Sequence, residues 1–281
     1  MQKELSDALG QHVKTLDFLH KGQIGDIYIA SVEDKSYVVK TSEQMEKLAI
    51  EATMLEDLHE AKIRVPNVII SKESFLVLEY IETIDQAKCI QELEAAKLLS
   101  TLHSVTNESR MYGYYYDTTI GPFPQKNEQT QYNWTLFLGQ MRIMPMARHC
   151  YDKGKIPKQM VERLEGLCRD LYERIDMRTI YPSLLHGDVW SGNVLFERGG
   201  ACLIDPAIYY GDKEMELAFI LLFGTFGETF FDAYQEIHPL SNDFYVSKAP
   251  IYQIYPLLVH VALYGGSYIG ELECILKRLK I

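Results

Sequence analysis

The stretch Leu185-His186-Gly187-Asp188-Val189-Trp190-Ser191-Gly192-Asn193-Val194-Leu195-Phe196, followed by Leu203-Ile204-Asp205-Pro206, constrains the fold more than any other part of the chain. It reads as two short apolar strands with polar residues at fixed offsets: an aspartate, an asparagine five positions later, and a second aspartate after the next apolar run. Strand ends are rigid, and a reactive site wants its ligands there. One carboxylate can orient a hydroxyl and accept its proton, while an amide oxygen and a second carboxylate hold magnesium against nucleotide phosphates. Asp188 alone has a plainer reading, as a turn residue capping a helix. Asn193 and Asp205 in register with it favour the chemistry.

The order H-x-D-x-x-x-x-N is that of a kinase catalytic loop, and Asp205 stands where kinases carry the metal-binding aspartate of D-F-G. The triplet here is Asp205-Pro206-Ala207, so the chain is no ordinary protein kinase. The upstream part can be read against that possibility. Residues 1 to about 18 have the spacing of a lead-in helix. The period then changes to two, with Ile27 and Ile29 alternating with Tyr28, and Tyr37-Val38-Val39-Lys40 coming after the polar turn Glu33-Asp34-Lys35, which predicts an antiparallel hairpin. Before it, Gly22 and Gly25 either let backbone amides approach ATP phosphates or make a plain turn.

From Ser42 to Glu60 a helix would place Leu48, Leu55 and Leu58 on one face, with Glu51 inside that stripe and Glu46 opposite. A carboxylate on a buried face needs a cation, and Lys40 at its strand end is the candidate, giving the Lys–Glu pair that holds nucleotide phosphates in kinases. Val68 to Ile70 and Phe75 to Ile81 are two further strands, and the second runs into helical periodicity. That junction is a hinge, where backbone groups of Glu79, Tyr80 and Ile81 are placed to read an adenine edge. The helix from Ile90 to His103 reads as packing through Leu93, Ala96, Leu99 and Leu102. Tyr112 to Asn133 reads as a tyrosine-rich loop able to line an acceptor pocket, although packing accounts for most of its rings. Helices come next at Trp134 to Tyr151 and Lys158 to Asp176, and Asp212 reads as the N-cap of an apolar helix, with Glu214 available to an amine.

Composition narrows the class. The 281 residues, 47% of them hydrophobic, suit one two-lobed enzyme with a large core. A net charge of −11 without any basic run argues against a nucleic-acid partner. The five scattered cysteines form no C-x-x-C pair, so neither zinc nor a disulfide framework is suggested and reduced thiols are expected. No signal-peptide core precedes His12, and the longest apolar run, Leu217 to Phe223, is too short for a bilayer, so a cytoplasmic protein with no membrane partner is expected.

The chain closely resembles the fructosamine/ketosamine-3-kinases, in the aminoglycoside-phosphotransferase-like branch of the kinase fold. The resemblance rests on Leu185 to Asn193, on Ile204-Asp205-Pro206-Ala207-Ile208-Tyr209-Tyr210-Gly211-Asp212-Lys213-Glu214-Met215-Glu216-Leu217-Ala218, and on Tyr255-Pro256-Leu257-Leu258-Val259-His260 with Gly265-Gly266-Ser267-Tyr268. Weaker echoes are Arg64-Val65-Pro66, Ile120-Gly121 and Gln140-Met141-Arg142. It implies an α+β, protein-kinase-like two-lobed fold, with a small antiparallel-sheet N-lobe over 1–81 and a large, mainly helical C-lobe over 82–281. It further implies ATP- and Mg2+-dependent phosphorylation of the sugar 3-hydroxyl of a ketosamine, free or on a glycated lysine, by a monomer. The phosphate ester then eliminates and returns the amine, a deglycation. Carried over, Asp188 is the base, Asn193 and Asp205 the metal ligands, Lys40 and Glu51 the phosphate-binding pair, and Trp190 a wall of the acceptor pocket. The departures are a phosphate loop, Lys21 to Ile27, with few glycines and no cysteine, a short interval from Lys40 to Glu51, and Val189 and Glu216 where leucine and aspartate are usual. An aminoglycoside- or choline-type phosphotransferase and a nucleotide-binding pseudokinase are the alternatives.

Overall fold

The computed structural model describes residues 1–128 and 132–281, so the loop expected from Tyr112 to Asn133 lies partly outside the described residues. The chain begins with α1 (Gln2–Leu9), which stops at Gly10 in the left-handed conformation, its N–H donating to the Ser6 carbonyl. The expected helix to residue 18 therefore ends early. Its second half is instead the start of β1 (Val13–Lys21), an edge strand paired only with β2 (Asp26–Val32). Register shifts at Val13/Thr15 and Phe18/His20 interrupt its alternation, and most of its side chains face water. Bulged, one-sided strands of this kind leave no period-two pattern to read.

The hairpin of β2 and β3 (Lys35–Thr41) forms as the alternation predicts. With β4 (Val68–Ser71) and β5 (Leu76–Glu79) it completes an antiparallel sheet in the order β1-β2-β3-β5-β4. The outer face packs on α1 through Leu5, Val13, Ala30, Val32, Val39, Phe75 and Val77. On the inner face lies α2 (Met45–Glu60), whose Leu48, Leu55 and Leu58 are buried in the main core together with Leu76 and Leu78. Glu51 is on the same buried face.

The rest is a mostly helical lobe. α3 (Lys88–His103) buries Glu92, Ala95, Ala96, Leu99, Leu102 and His103, while Leu93 is 49% exposed and does not belong to the packing face. The hairpin β6 (Thr118–Ile120) and β7 (Phe123–Gln125) precedes α4 (Trp134–Phe137), which continues through a π-helical turn, Leu138–Ile143, into α5 (Met144–Asp152). That wide turn carries Arg142 inward, fully buried over the rings of Phe137 and Tyr209. After α6 (Lys158–Arg174) come β8 (Ser183–Leu185), β9 (Val194–Glu197), β10 (Gly200–Leu203) and β11 (Tyr209–Gly211). β8 pairs with β11 and β9 with β10, which brings the β8–β9 loop beside the turn after β10. The closing layer is α7 (Lys213–Phe223), α8 (Glu228–Ile237), α9 (Ala249–Tyr252), α10 (Ile254–Tyr264) and α11 (Ser267–Arg278). Among the described residues no helix is long and apolar enough to cross a membrane.

Candidate active site

Lys40 pairs with Ile27 on one side and Leu76 on the other, so the sheet fixes its direction. Its ammonium donates to Glu51 at 2.6 Å, despite the short interval between them, and also to the carboxylate of Asp205. Burial alone would lower the Lys40 value, but the two carboxylates more than reverse that and hold it above the usual lysine range. Burial and the nearby Asp205 push the Glu51 carboxyl up, against the pull of Lys40. Asp205 goes the other way: burial is outweighed by Lys40, and its carboxyl is held below the ordinary value.

The β8–β9 loop is tied down at several points. Gly187 has a φ of 86°, and a Cβ there would stand 2.2 Å from the Ala207 carbonyl oxygen, so no larger residue fits. Asn193 is 4% exposed and spends its amide nitrogen on Asp188, donating to the backbone oxygen at 2.9 Å and to Oδ2 at 3.0 Å. Burial, then repulsion from Asp205, raises the Asp188 carboxyl to about 7. Asp188 is thus more than a turn residue: it is a carboxyl whose ionised form is disfavoured, at the edge of a cavity.

Beneath the loop is a buried group whose role sequence reasoning missed. Glu216 on α7 accepts from the Gly187 N–H at 2.6 Å, the His186 N–H at 3.3 Å and His103 Nε2 at 2.9 Å. His103 in turn meets the Tyr234 hydroxyl through Nδ1 at 2.6 Å. Burial raises the Glu216 carboxyl, but His103 and the loop amides outweigh it and the net direction is down. A depressed carboxyl contributes stability that is present above its ordinary value of 4.5 and lost as the pH falls through the folded value. Glu216→Gln should therefore cost about 2 kcal/mol at neutral pH, with the difference from wild type shrinking below about pH 4. Urea unfolding at the two pH values checks this, and a difference independent of pH contradicts it.

A cavity of about 450 Å³ joins these groups to a second half. One side holds Gly22, Gly25, Lys40, Glu51, Asp188, Asn193 and Asp205; the other is walled by Trp190, Phe223, His260, Tyr264 and Tyr268. Trp190 is 45% exposed, with its ring lying over Gly192, so it is not a core packing residue. Gly25 is forced by close approach, since a Cβ would stand 1.7 Å from the Thr41 carbonyl oxygen, and the Gly22 N–H closes a turn on the Gly25 carbonyl at 2.7 Å. From this loop Gln23 donates to the Tyr264 hydroxyl at 2.7 Å, bridging the two halves of the cavity. His260 directs Nδ1 to the Pro256 carbonyl at 2.8 Å, and burial lowers its pKa.

Two expectations need correction. Glu214 is 4% exposed and does not line the cavity; Ser241 and Lys248 occupy both its oxygens, so no acceptor amine reaches it. Glu79 accepts two bonds from Arg64, and its N–H is given to the Asn67 carbonyl at 2.9 Å. The cavity stops short of Glu79, Tyr80 and Ile81, and Ile81 is buried, 6% exposed. Tyr114 and Tyr116 lie off the cavity, in keeping with the packing reading, and donate to Asp57 on α2 at 3.0 and 2.6 Å.

The donor set suits a small hard cation. Asp205 offers a carboxylate 43% exposed on the cavity side, already balanced by the Lys40 ammonium. With its nitrogen spent on Asp188, Asn193 has its amide oxygen left for a cation. One carboxylate and one amide oxygen, completed by phosphates and water, is a set magnesium accepts.

Comparison with known proteins agrees with the geometry. The family model described as fructosamine kinase matches residues 1–281. A protein of Enterococcus faecium named "Probable ketoamine kinase" is 32% identical, over 91% of this chain and 92% of that one. The solved "putative fructosamine-3-kinase" of Thermobifida fusca superposes with a TM-score of 0.88 at 26% identity, covering 100% of this chain and 99% of the other. An aminoglycoside phosphotransferase solved with ADP is similar in fold, with a TM-score of 0.69 at 16% identity over 98% of this chain and 96% of that one.

Proposed function

The chain belongs to the fructosamine kinase family, and on that premise we propose that it transfers the γ-phosphoryl group of ATP to the sugar 3-hydroxyl of a ketosamine, as a deglycating kinase of the cytoplasm. The observation that carries the reading is the two-sided cavity, charged at Lys40, Asp188 and Asp205 and aromatic at Trp190, His260, Tyr264 and Tyr268. Lys40, held by Glu51, binds phosphate oxygens. Asp188 Oδ accepts the proton of the acceptor hydroxyl as the oxygen–phosphorus bond forms and the bond to the β-phosphate bridge breaks, with ADP leaving. Asn193 orients Asp188 through its amide nitrogen. Asn193 and Asp205 are the residues that would hold magnesium, which when bound neutralises phosphate charge.

The acceptor half favours a ketosamine over an aminoglycoside. Phe223, His260, Tyr264 and Tyr268 form one wall of mutually packed rings, whereas a polycation needs several carboxylates. Flat rings suit one secondary ammonium and its alkyl stem. Retention of Lys40, Asp188, Asn193 and Asp205 together argues against a pseudokinase.

Phosphorus NMR of the product from ribuloselysine and ATP tests the regiochemistry. A phosphate monoester coupled to the proton on carbon 3, decaying with release of free lysine, is the expected spectrum. Phosphate on another hydroxyl, or orthophosphate without release of lysine, refutes the reading.

A further inference from the structure

The Tyr114-Tyr115-Tyr116 run has no place in the cavity, yet two of its hydroxyls converge on one carboxylate oxygen. Asp57 sits near the end of α2, the helix that carries Glu51, and its Oδ2 accepts from Tyr114 at 3.0 Å and Tyr116 at 2.6 Å. Near the start of the same helix, Lys47 Nζ donates to the Pro122 carbonyl at 2.7 Å. The helix is thus tied at both ends to one segment of the other lobe.

That segment is itself fixed to the reacting region. Gly113 exchanges two backbone hydrogen bonds with Tyr210 on β11, at 3.0 and 2.7 Å, and Tyr114 stacks on the Tyr210 ring with centroids 5.6 Å apart. Gln125 donates to the Ala207 carbonyl at 3.1 Å and Thr118 to the Ile208 carbonyl at 3.2 Å, the residues just after Asp205-Pro206. Tyr255 donates to Gln125 Oε1 at 2.8 Å. A continuous set of hydrogen bonds therefore runs from α2 to the turn that carries Asp205, while Lys40 spans Glu51 and Asp205 from the other side.

We infer that Asp57, with Tyr114 and Tyr116, is a clamp that holds α2 in the position where Glu51 meets Lys40, so that Asp57 is a positioning residue for phosphate binding. In kinases whose activity depends on this helix, the Lys–Glu pair is made and broken as it moves. Here the clamp keeps the pair formed without a regulatory partner. The inference rests on the phosphate-binding reading of Lys40 and Glu51, and acts only through them.

A double-mutant cycle separates the two ideas. Turnover of ribuloselysine is measured against ATP concentration for wild type, Asp57→Ala, Glu51→Gln and the double variant, with thermal unfolding of each. Loss of the clamp should lower kcat/KM for ATP about tenfold, since displacement of about 1 Å at a positioning contact costs up to a hundredfold. The double variant should be no worse than Glu51→Gln alone, because Asp57 has nothing left to position. Multiplying single effects, or a wild-type rate in Asp57→Ala while Glu51→Gln is impaired, overturns the clamp and leaves the pair standing. A wild-type rate in Glu51→Gln overturns the pair and the clamp with it. Tyr116→Phe keeps the ring, removes the shorter bond and carries the same non-additivity if Asp57→Ala does not fold.

Discussion

Asp188→Asn should lower turnover by about a thousandfold while ATP affinity stays within about twofold of wild type, because a positioned general base contributes about 10²–10⁴ in rate and little to nucleotide binding. Asparagine keeps the oxygen that Asn193 bonds, so the loop retains its shape. The exchange also has a stability signature of the opposite sign. Burial and Asp205 both disfavour the ionised form of Asp188, raising its carboxyl to about 7. A neutral amide removes that repulsion, and the variant should melt at or above the wild-type temperature at pH 8. Turnover assays, calorimetric titration with ATP and thermal unfolding check the three parts. Near-normal turnover would show that Asp188 is not the base.

Lys40→Met should reduce both function and stability. Lys40 is the shared cation of Glu51 and Asp205, with side-chain exposures of 12% for the lysine and 9% for Glu51. Its removal leaves a buried carboxylate unpaired beside another, a change that typically costs about 3–5 kcal/mol. The phosphate contact is lost as well, so kcat/KM for ATP should fall by about 10²–10³. Adding Glu51→Gln removes the buried charge, and the double variant should regain most of the stability and none of the activity. Full activity in Lys40→Met, or no recovery of stability in the double variant, contradicts this charge balance.

The legible parts of the sequence were those with a local pattern. The β2–β3 hairpin announced itself by alternation, and Glu51 by standing inside an apolar stripe, which demands a cation close in space. At Leu185 to Asp205 polar residues at fixed offsets among apolar ones pointed to one site, and Asp188, Asn193 and Asp205 do line one cavity. What failed depended on partners far along the chain. Glu214 looked free because nothing nearby announces Lys248 and Ser241. The tyrosine run read mainly as packing, but its partner was hidden because Asp57 lies on a helix of the other lobe. β1 was lost to its bulges and exposed edge, and Glu79 to the distant Arg64. For Glu216 there was a usable signal, a carboxylate between Met215 and Leu217 in an apolar helix, which implied buried donors without saying that they were the amides of the β8–β9 loop.

Magnesium-dependent ADP release from ATP tests the central claim most directly, measured against ribuloselysine, erythruloselysine, fructoselysine, kanamycin and choline. The account predicts strong release with at least one ketosamine and none above background with kanamycin or choline, since neither presents the 3-hydroxyl of a ketosamine. Release with kanamycin or choline alone would keep the phosphoryl-transfer chemistry and contradict the ketosamine acceptor; silence across the panel with ATP bound would contradict the enzyme reading itself.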